Sequence, residues 1–137
     1  MRIAAVVLTA GLGLAALVSP AQAGADAGIA PPYIDHTEWT SWDGKASLRV
    51  YPTPAGRAAA TAPGGSLLTG EAWSEVLALQ PEADTPGMAD QFSCHWRWAE
   101  FAEPGKSSWN LEPWRPVVTV SQMLAAHCNP GGPEERL

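Results

Sequence analysis

The sequence predicts a single α+β domain in which an N-terminal β-hairpin is followed by three or four helices, one of them buried at the centre. Three observations lead to this prediction. Two runs of β-forming residues flank Asp43-Gly44, a preferred pair for a two-residue hairpin turn. Residues 86–102 would place apolar side chains around more than half of a helix. Cys94 and Cys128 are the only cysteines, and an even count in an exported chain indicates one disulfide.

The chain begins like a secretory signal peptide. Arg2 gives a positive start, residues 3–18 are almost wholly apolar, and Ala21-Gln22-Ala23 matches the small-x-small pattern that signal peptidase accepts. The apolar run is shorter than the about 20 residues that a membrane-spanning helix needs. The sequence therefore predicts cleavage after Ala23, secretion, and no stable membrane insertion of the mature chain.

The composition narrows the classes of partner. The formal net charge is −6 and the basic residues are scattered among carboxylates, which argues against nucleic acid. No phosphate-binding loop or zinc signature is present, so neither a cofactor nor a metal is predicted. The predicted organisation is a signal peptide (1–23), a flexible leader (24–32), one globular domain (33–132) and a frayed tail (133–137).

The predicted hairpin turn fixes a register that side-chain chemistry can test. With Asp43-Gly44 in the turn, one face of the hairpin becomes apolar and the other carries an opposite-charge pair and a cation–π pair. A slip by one residue would scramble both faces. The expected polar-face pairs are Glu38 with Arg49, His36 with Tyr51 and Trp42 with Lys45, and the expected apolar-face pairs are Trp39 with Leu48 and Thr37 with Val50.

Helix start signals follow the hairpin. Thr53-Pro54 and Thr85-Pro86 each have the form of an N-cap with proline at the first helical position. Residues 70–80 have the pattern of an amphipathic surface helix. Thr119 and Gln122 have capping-box spacing.

The side-chain pattern leaves one helix boundary open and predicts that one helix is buried. Residues 117–120 fit either entry into the last helix or a third strand, and the sequence leaves both open. The predicted central helix, residues 86–102, carries two adjoining apolar stripes, so we expect it to be buried. The first stripe is Met88, Phe92, His95, Trp96 and Ala99, and the second is Cys94, Trp98 and Phe101.

The segment SSWNLEPWRPVV, residues 107–118, is the predicted binding element. Its two prolines stiffen the backbone, and its indoles each combine a large apolar area with one N–H. One interpretation is a lid, with the tryptophans covering the central helix and an ion pair at its rim. The other is a rigid aromatic platform that binds a cell-envelope glycan or a protein without catalysis. The candidate binding residues are Trp109, Glu112, Trp114, Arg115 and Trp98.

A small hydrolase is the alternative function. His95 would act as general base, with Glu100, Glu103, Glu112 or Asp90 orienting it. A metal site at His95 and His127 is disfavoured because neither spacing matches a zinc signature. The sequence thus leaves catalysis undecided, with His95, Glu100 and Glu112 as the candidate catalytic residues.

Six stretches of the chain resemble a family of small exported proteins from mycobacteria and related actinobacteria. They are PYIDHTEW, SLRVYPTPAGR, AWSEVLAL, TPGMADQFSCHW, SWNLEPWRP and CNPGG, which stand in this order between residues 32 and 132. That family is defined by a domain of unknown function. The resemblance implies a secreted, disulfide-bonded single domain, and it implies no activity or catalytic residue.

Overall fold

The computed structural model describes residues 29–135 and has the predicted α+β architecture. The predicted signal peptide at 1–23 and the first part of the leader, residues 24–28, lie outside the described residues. Over residues 29–135 the chain forms a three-stranded antiparallel sheet and four α-helices, with short 3-10 turns at 65–68 and 81–83. In chain order, the elements are β1 (Ile34–Trp42), β2 (Lys45–Pro52), α1 (Pro54–Thr61), α2 (Thr69–Leu79), α3 (Met88–Ala102), β3 (Trp109–Leu111) and α4 (Val120–Ala125).

The predicted register of the β1–β2 hairpin is confirmed. All five expected pairs face each other across the two strands. Asp43 and Gly44 have φ values of 51° and 71°, the left-handed conformation that both central residues of a type I′ turn require. Leu48 and Val50 are fully buried, as expected for the apolar face.

The two polar-face interactions expected within the hairpin are replaced by longer-range ones. Arg49 faces Glu38 but donates from Nη2 to Oε2 of Glu135 at 2.7 Å. Lys45 lies over the ring of Trp114, 4.4 Å from its centroid, rather than over Trp42. The C-terminal part of the chain therefore contacts the polar face of the hairpin at Lys45 and Arg49.

Helix α1 begins as predicted at the Thr53-Pro54 signal. The Thr53 hydroxyl accepts a hydrogen bond from the Gly56 amide at 2.9 Å, and Pro54 is the first helical residue. Gly56 lets this helix approach the start of β1 closely, since a Cβ there would lie 2.1 Å from the carbonyl oxygen of Tyr33. This contact ties the helical layer to the sheet.

Helix α3 is central, but it begins two residues later than predicted. Gly87, with φ of 86°, is the N-cap, and the Thr85-Pro86 signal lies before the helix. The first predicted stripe, from Met88 to Ala99, is buried throughout. The second stripe is buried only at Cys94: Trp98 is 49% exposed and Phe101 is 63% exposed. These two exposed aromatic side chains correct the expectation that both stripes are buried.

The segment 107–118 contains a strand that the sequence analysis missed. Residues 109–111 form β3, which pairs with β2 through Val50 opposite Trp109 and Leu48 opposite Leu111. Three residues are too few to show the alternation that marks a strand. The prolines of this segment led us to expect a stiff loop throughout, and that expectation is wrong for residues 109–111.

The open question about residues 117–120 is settled in favour of helix entry. Thr119 is the N-cap of α4, and its hydroxyl and the Gln122 side chain form the predicted capping box. The predicted disulfide is also present, with a Cα–Cα distance of 5.5 Å between Cys94 and Cys128. It joins the middle of α3 to the residues that follow α4.

The end of the chain lies against the domain over the part that the structure describes. We call residues 129–135 the C-terminal strap. Glu134 pairs with Lys106, and Glu135 pairs with Arg49. Residues 134 and 135, expected to belong to a frayed tail, are thus in contact with β2 and with the turn between α3 and β3.

Candidate binding groove

The structure places Trp109 in the core rather than on a surface. Its side chain has no exposed area. Its ring meets that of Trp96 edge-on, with the centroids 6.0 Å apart, and also contacts Phe92 at 6.3 Å. Trp109 therefore covers the central helix, as the lid interpretation expected, and offers no face to a ligand.

Glu112 and Arg115 form a buried ion pair at the end of β3. Arg115 Nε donates to Glu112 Oε2 at 2.6 Å, and Ser47 Oγ donates to Oε1 at 2.9 Å. Gln91 exchanges two hydrogen bonds with the Glu112 backbone. The pair lies inside the domain, not at the rim expected of a lid, and its groups are occupied by protein partners.

Trp114 is held between the hairpin turn and the C-terminal strap. Lys45 Nζ and Arg115 Cζ lie over its ring, 4.4 and 4.5 Å from the centroid. Gly132 lies against the edge of the same ring. Because cations already cover the indole, we assign Trp114 a structural role in holding the strap.

Trp98 is the one predicted binding residue that reaches an open site. It borders a groove of about 770 Å³ between α3, α4 and the C-terminal strap. The Cys94–Cys128 disulfide contributes to the lining. The remaining lining residues are His95, Ala99, Ala102, Glu103, Lys106, Leu124, Ala126, His127, Asn129, Gly132, Pro133 and Glu134.

His95 is the most perturbed titratable group of this groove. The side chain is 4% exposed, and burial lowers its pKa to about 3. The positive charges of Lys106 and Arg115 contribute to this lowered value, while the Asn110 backbone acts in the opposite direction. The Nε2 atom is buried without a hydrogen-bond partner. At neutral pH His95 is therefore an uncharged ring with one unused polar atom.

A second unpartnered polar atom belongs to the same groove. Asn129 donates from Nδ2 to the carbonyl oxygen of His127 at 2.8 Å, but its Oδ1 atom is buried without a partner. Buried polar atoms are nearly always hydrogen-bonded in folded proteins, so two such atoms at one groove mark an unmet requirement for donors.

The charged groups of the groove are largely paired with one another. Lys106 contacts Glu134, and its Nζ lies 3.6 Å from Glu103 Oε2. One cation thus stands between two carboxylates. Lys106, the one lysine or arginine that lines the groove in the described part of the chain, is therefore already paired.

The candidate catalytic carboxylates are mostly placed elsewhere. Glu100 is bound to Arg57 and accepts from the Gly105 amide at 3.2 Å, and Asp90 borders a separate cavity of about 100 Å³. Only Glu103 shares the groove with His95. Across residues 29–135, no group of three His, Cys, Asp or Glu side chains is placed to hold a metal ion.

Sequence reasoning missed several residues of this site. Nothing in the sequence singles out Asn129, Lys106 or Leu124, because they meet only after α4 and the strap fold back onto α3. The one available signal is the cysteine pairing, because Cα atoms about 5.5 Å apart bring the adjacent residues His95 and His127 near each other. Both do line the groove.

Within residues 29–135, no helix combines the length and apolarity needed to cross a bilayer.

No solved structure gives a significant match to the chain. Uncharacterized proteins of Mycobacterium tuberculosis and Mycobacterium bovis are each 51% identical to it over 143 residues, covering 98% of this chain and 96% of the relative. An uncharacterized protein of Mycobacterium leprae is 50% identical over 101 residues, covering 73% of this chain and 80% of the relative. A family described as "protein of unknown function (DUF2599)" matches residues 34–131, and this chain belongs to that family.

Proposed function

We propose that the protein is an exported, non-enzymatic binding protein whose ligand site is the groove between α3, α4 and the C-terminal strap. The observation that carries the proposal is the half-exposed indole of Trp98 at a groove of about 770 Å³. That volume lies within the range of small-molecule sites, which combine apolar lining with a few polar groups. Trp98 takes the place of the 107–118 segment as the aromatic contact.

The groove is built on fixed elements, which supports a role in binding. The disulfide joins α3 to the residues after α4, and the Thr119–Gln122 capping box fixes the start of α4. Arg115 donates from Nη1 to the carbonyl oxygens of Pro130 and Gly132 at 3.1 and 2.7 Å, which holds the strap. A rigid site loses little conformational entropy when a ligand binds.

The state of His95 supports binding rather than catalysis. A general base needs a pKa near the working pH, and burial lowers that of His95 to about 3. In the described part of the chain, His95 has no hydrogen bond to a carboxylate that could orient it. Cys94, its neighbour, is in the disulfide and is therefore no thiol nucleophile.

Export is supported by the signal-peptide pattern at residues 1–23 and by the disulfide, which persists in oxidising compartments. The ligand would be a part of the cell envelope or of a protein outside the cell. A groove of this size accommodates a small molecule or the end of a chain rather than a broad protein surface.

The test follows the indole N–H signal of Trp98 by two-dimensional NMR, assigned with the Trp98→Phe variant. Soluble cell-wall fragments and extracellular proteins are added to the purified protein. The proposal expects the Trp98 signal to shift with at least one of them while the signal of buried Trp96 stays in place. A Trp98 signal that is unchanged by every addition would overturn it.

A further inference from the structure

We propose that the ligand is an uncharged sugar, with hydroxyl groups that donate to His95 Nε2 and Asn129 Oδ1 and a ring face that packs on Trp98. This inference rests on the proposed function of the same groove. The class of ligand follows from two polar atoms of the groove that have no hydrogen-bond partner in the folded chain.

The His95 ring must receive a hydrogen bond at Nε2. A neutral imidazole carries one N–H and one lone pair, and the Asn110 backbone, which raises the His95 pKa as a hydrogen-bond acceptor would, suits the N–H. The remaining nitrogen, Nε2, then holds the lone pair and has no donor. A ligand hydroxyl supplies the donor that the folded chain lacks.

Asn129 requires the same kind of ligand group. Its amide nitrogen is identified by the hydrogen bond to the His127 carbonyl, so the unpartnered atom is the oxygen. An amide oxygen accepts hydrogen bonds and cannot donate them. The two unused atoms are thus both acceptors, and a sugar presents several hydroxyl donors on one ring.

The charges of the groove select against an anion. Lys106 is already bound to Glu134 and lies close to Glu103, so its charge is neutralised by the protein. A phosphate or carboxylate would meet two carboxylates without an unpaired lysine or arginine to receive it. The apolar surface of Trp98, Leu124 and Ala102 suits the C–H face of a sugar ring.

Access to the acceptors requires a small movement of the lining. Both atoms have almost no exposed area in the unliganded chain. The side chains of Trp98 and Leu124 are 49% and 43% exposed, so they lose few packing contacts when they move. Side-chain rotation of this kind is common at interfaces whose backbone stays fixed.

The experiment compares three ligands that share one ring and differ in charge: glucose, glucosamine and glucuronate. Each is titrated at millimolar concentration into the purified protein, and the Trp98 indole signal reports binding. Glucose is expected to shift the signal and glucuronate to leave it unchanged. Tighter binding of glucosamine than of glucose would overturn the choice of an uncharged ligand, because it would point to recognition of a cation by Glu103 and Glu134.

Two variants test the acceptors. Asn129→Ala removes the amide oxygen at a partly exposed position, and we expect it to weaken glucose binding about tenfold. His95→Phe removes the lone pair and should weaken glucose binding to a similar extent. If the His95 variant does not fold, the Asn129→Ala variant alone tests the acceptors. Asn129→Gln keeps the amide group and serves as the conservative control, and it should retain more of the glucose affinity than Asn129→Ala does.

The outcomes separate this inference from the proposed function. If no sugar shifts the Trp98 signal while a protein or a cell-wall fragment does, the sugar proposal is overturned and the binding function stands. If glucose binds and Asn129→Ala leaves its affinity unchanged, the assigned acceptor is wrong. If nothing shifts the Trp98 signal, both proposals fail.

Discussion

Arg115 Nε donates to Glu112 Oε2 at 2.6 Å, and both side chains are essentially without contact with solvent. The other carboxylate oxygen accepts from Ser47, so the pair connects the end of β3 with β2. The same guanidinium donates to carbonyl oxygens of the C-terminal strap at Pro130 and Gly132. One buried pair thus positions both the sheet and a wall of the groove.

We expect Arg115→Met to lower the free energy of unfolding by about 3–5 kcal/mol, because Glu112 would remain as a buried charge without its partner. Urea unfolding measures the loss. The double variant Glu112→Gln with Arg115→Met removes that charge as well and should recover part of the stability. A single variant that is no less stable than the double would contradict the assigned role of the pair.

Loss of the disulfide should destabilise the domain by about 4 kcal/mol, as expected from the chain entropy of a loop that joins residues 34 positions apart. The measurement is urea unfolding with and without a reducing agent. The variant with both Cys94→Ala and Cys128→Ala is the control, and its midpoint should not respond to the reducing agent. An unchanged midpoint of the parent protein after complete reduction would show that the link contributes nothing.

Two tryptophans on α3 should respond very differently to truncation. Trp96 is 1% exposed and contacts Tyr33, Phe92 and Trp109, so Trp96→Ala should cost about 3–5 kcal/mol. Trp98 is half exposed, and Trp98→Ala should cost less than about 1 kcal/mol. Thermal unfolding of the pair of variants checks this. Equal losses would mean that Trp98 is part of the core and unavailable to a ligand.

The same two residues show how far the sequence predicts the site. Both lie in apolar stripes of one helix, and periodicity alone cannot tell which stripe remains at the surface. The answer depends on α4, a helix of six residues that covers Cys94 but leaves Trp98 half exposed. The burial of Trp98 is thus set by tertiary placement, which no local pattern encodes.

The hairpin was predictable to the residue because two independent rules agree there. A two-residue turn fixes the offset, and the two-residue period of side chains fixes the faces. The strand at 109–111 obeys the same physics, but it is too short to display a period. Asn129 joins the groove through the folded-back strap, so its role had no signal in the sequence.

A pair of glycines offers a test of the packing between α1 and the sheet. Gly56→Ala should destabilise the domain by about 1–3 kcal/mol, since the added Cβ would lie 2.1 Å from the Tyr33 carbonyl oxygen. Gly70→Ala, in the first turn of α2, meets nothing within 4 Å and should stabilise the domain by about 0.5 kcal/mol. Urea unfolding of both variants measures these two changes in the free energy of unfolding. A neutral Gly56→Ala would mean that α1 can shift away from β1 at no cost.

The burial of His95 predicts a pH dependence of stability with a definite sign. In the native chain its pKa is lowered to about 3, whereas an unfolded histidine titrates near 6.5. Between these values only the unfolded chain takes up the proton, so the free energy of unfolding should fall with falling pH, by at most about 1.4 kcal/mol per pH unit. Above pH 6.5 the His95 ring is neutral in both states, so it no longer changes the free energy of unfolding with pH.

His95→Gln should remove the His95 part of this pH dependence in urea unfolding between pH 5 and pH 7, while the control His36→Gln, at an exposed site, should keep it. An unchanged slope in His95→Gln would show that the native ring takes up a proton as readily as the unfolded one, and that it is not the buried neutral acceptor required by the sugar site.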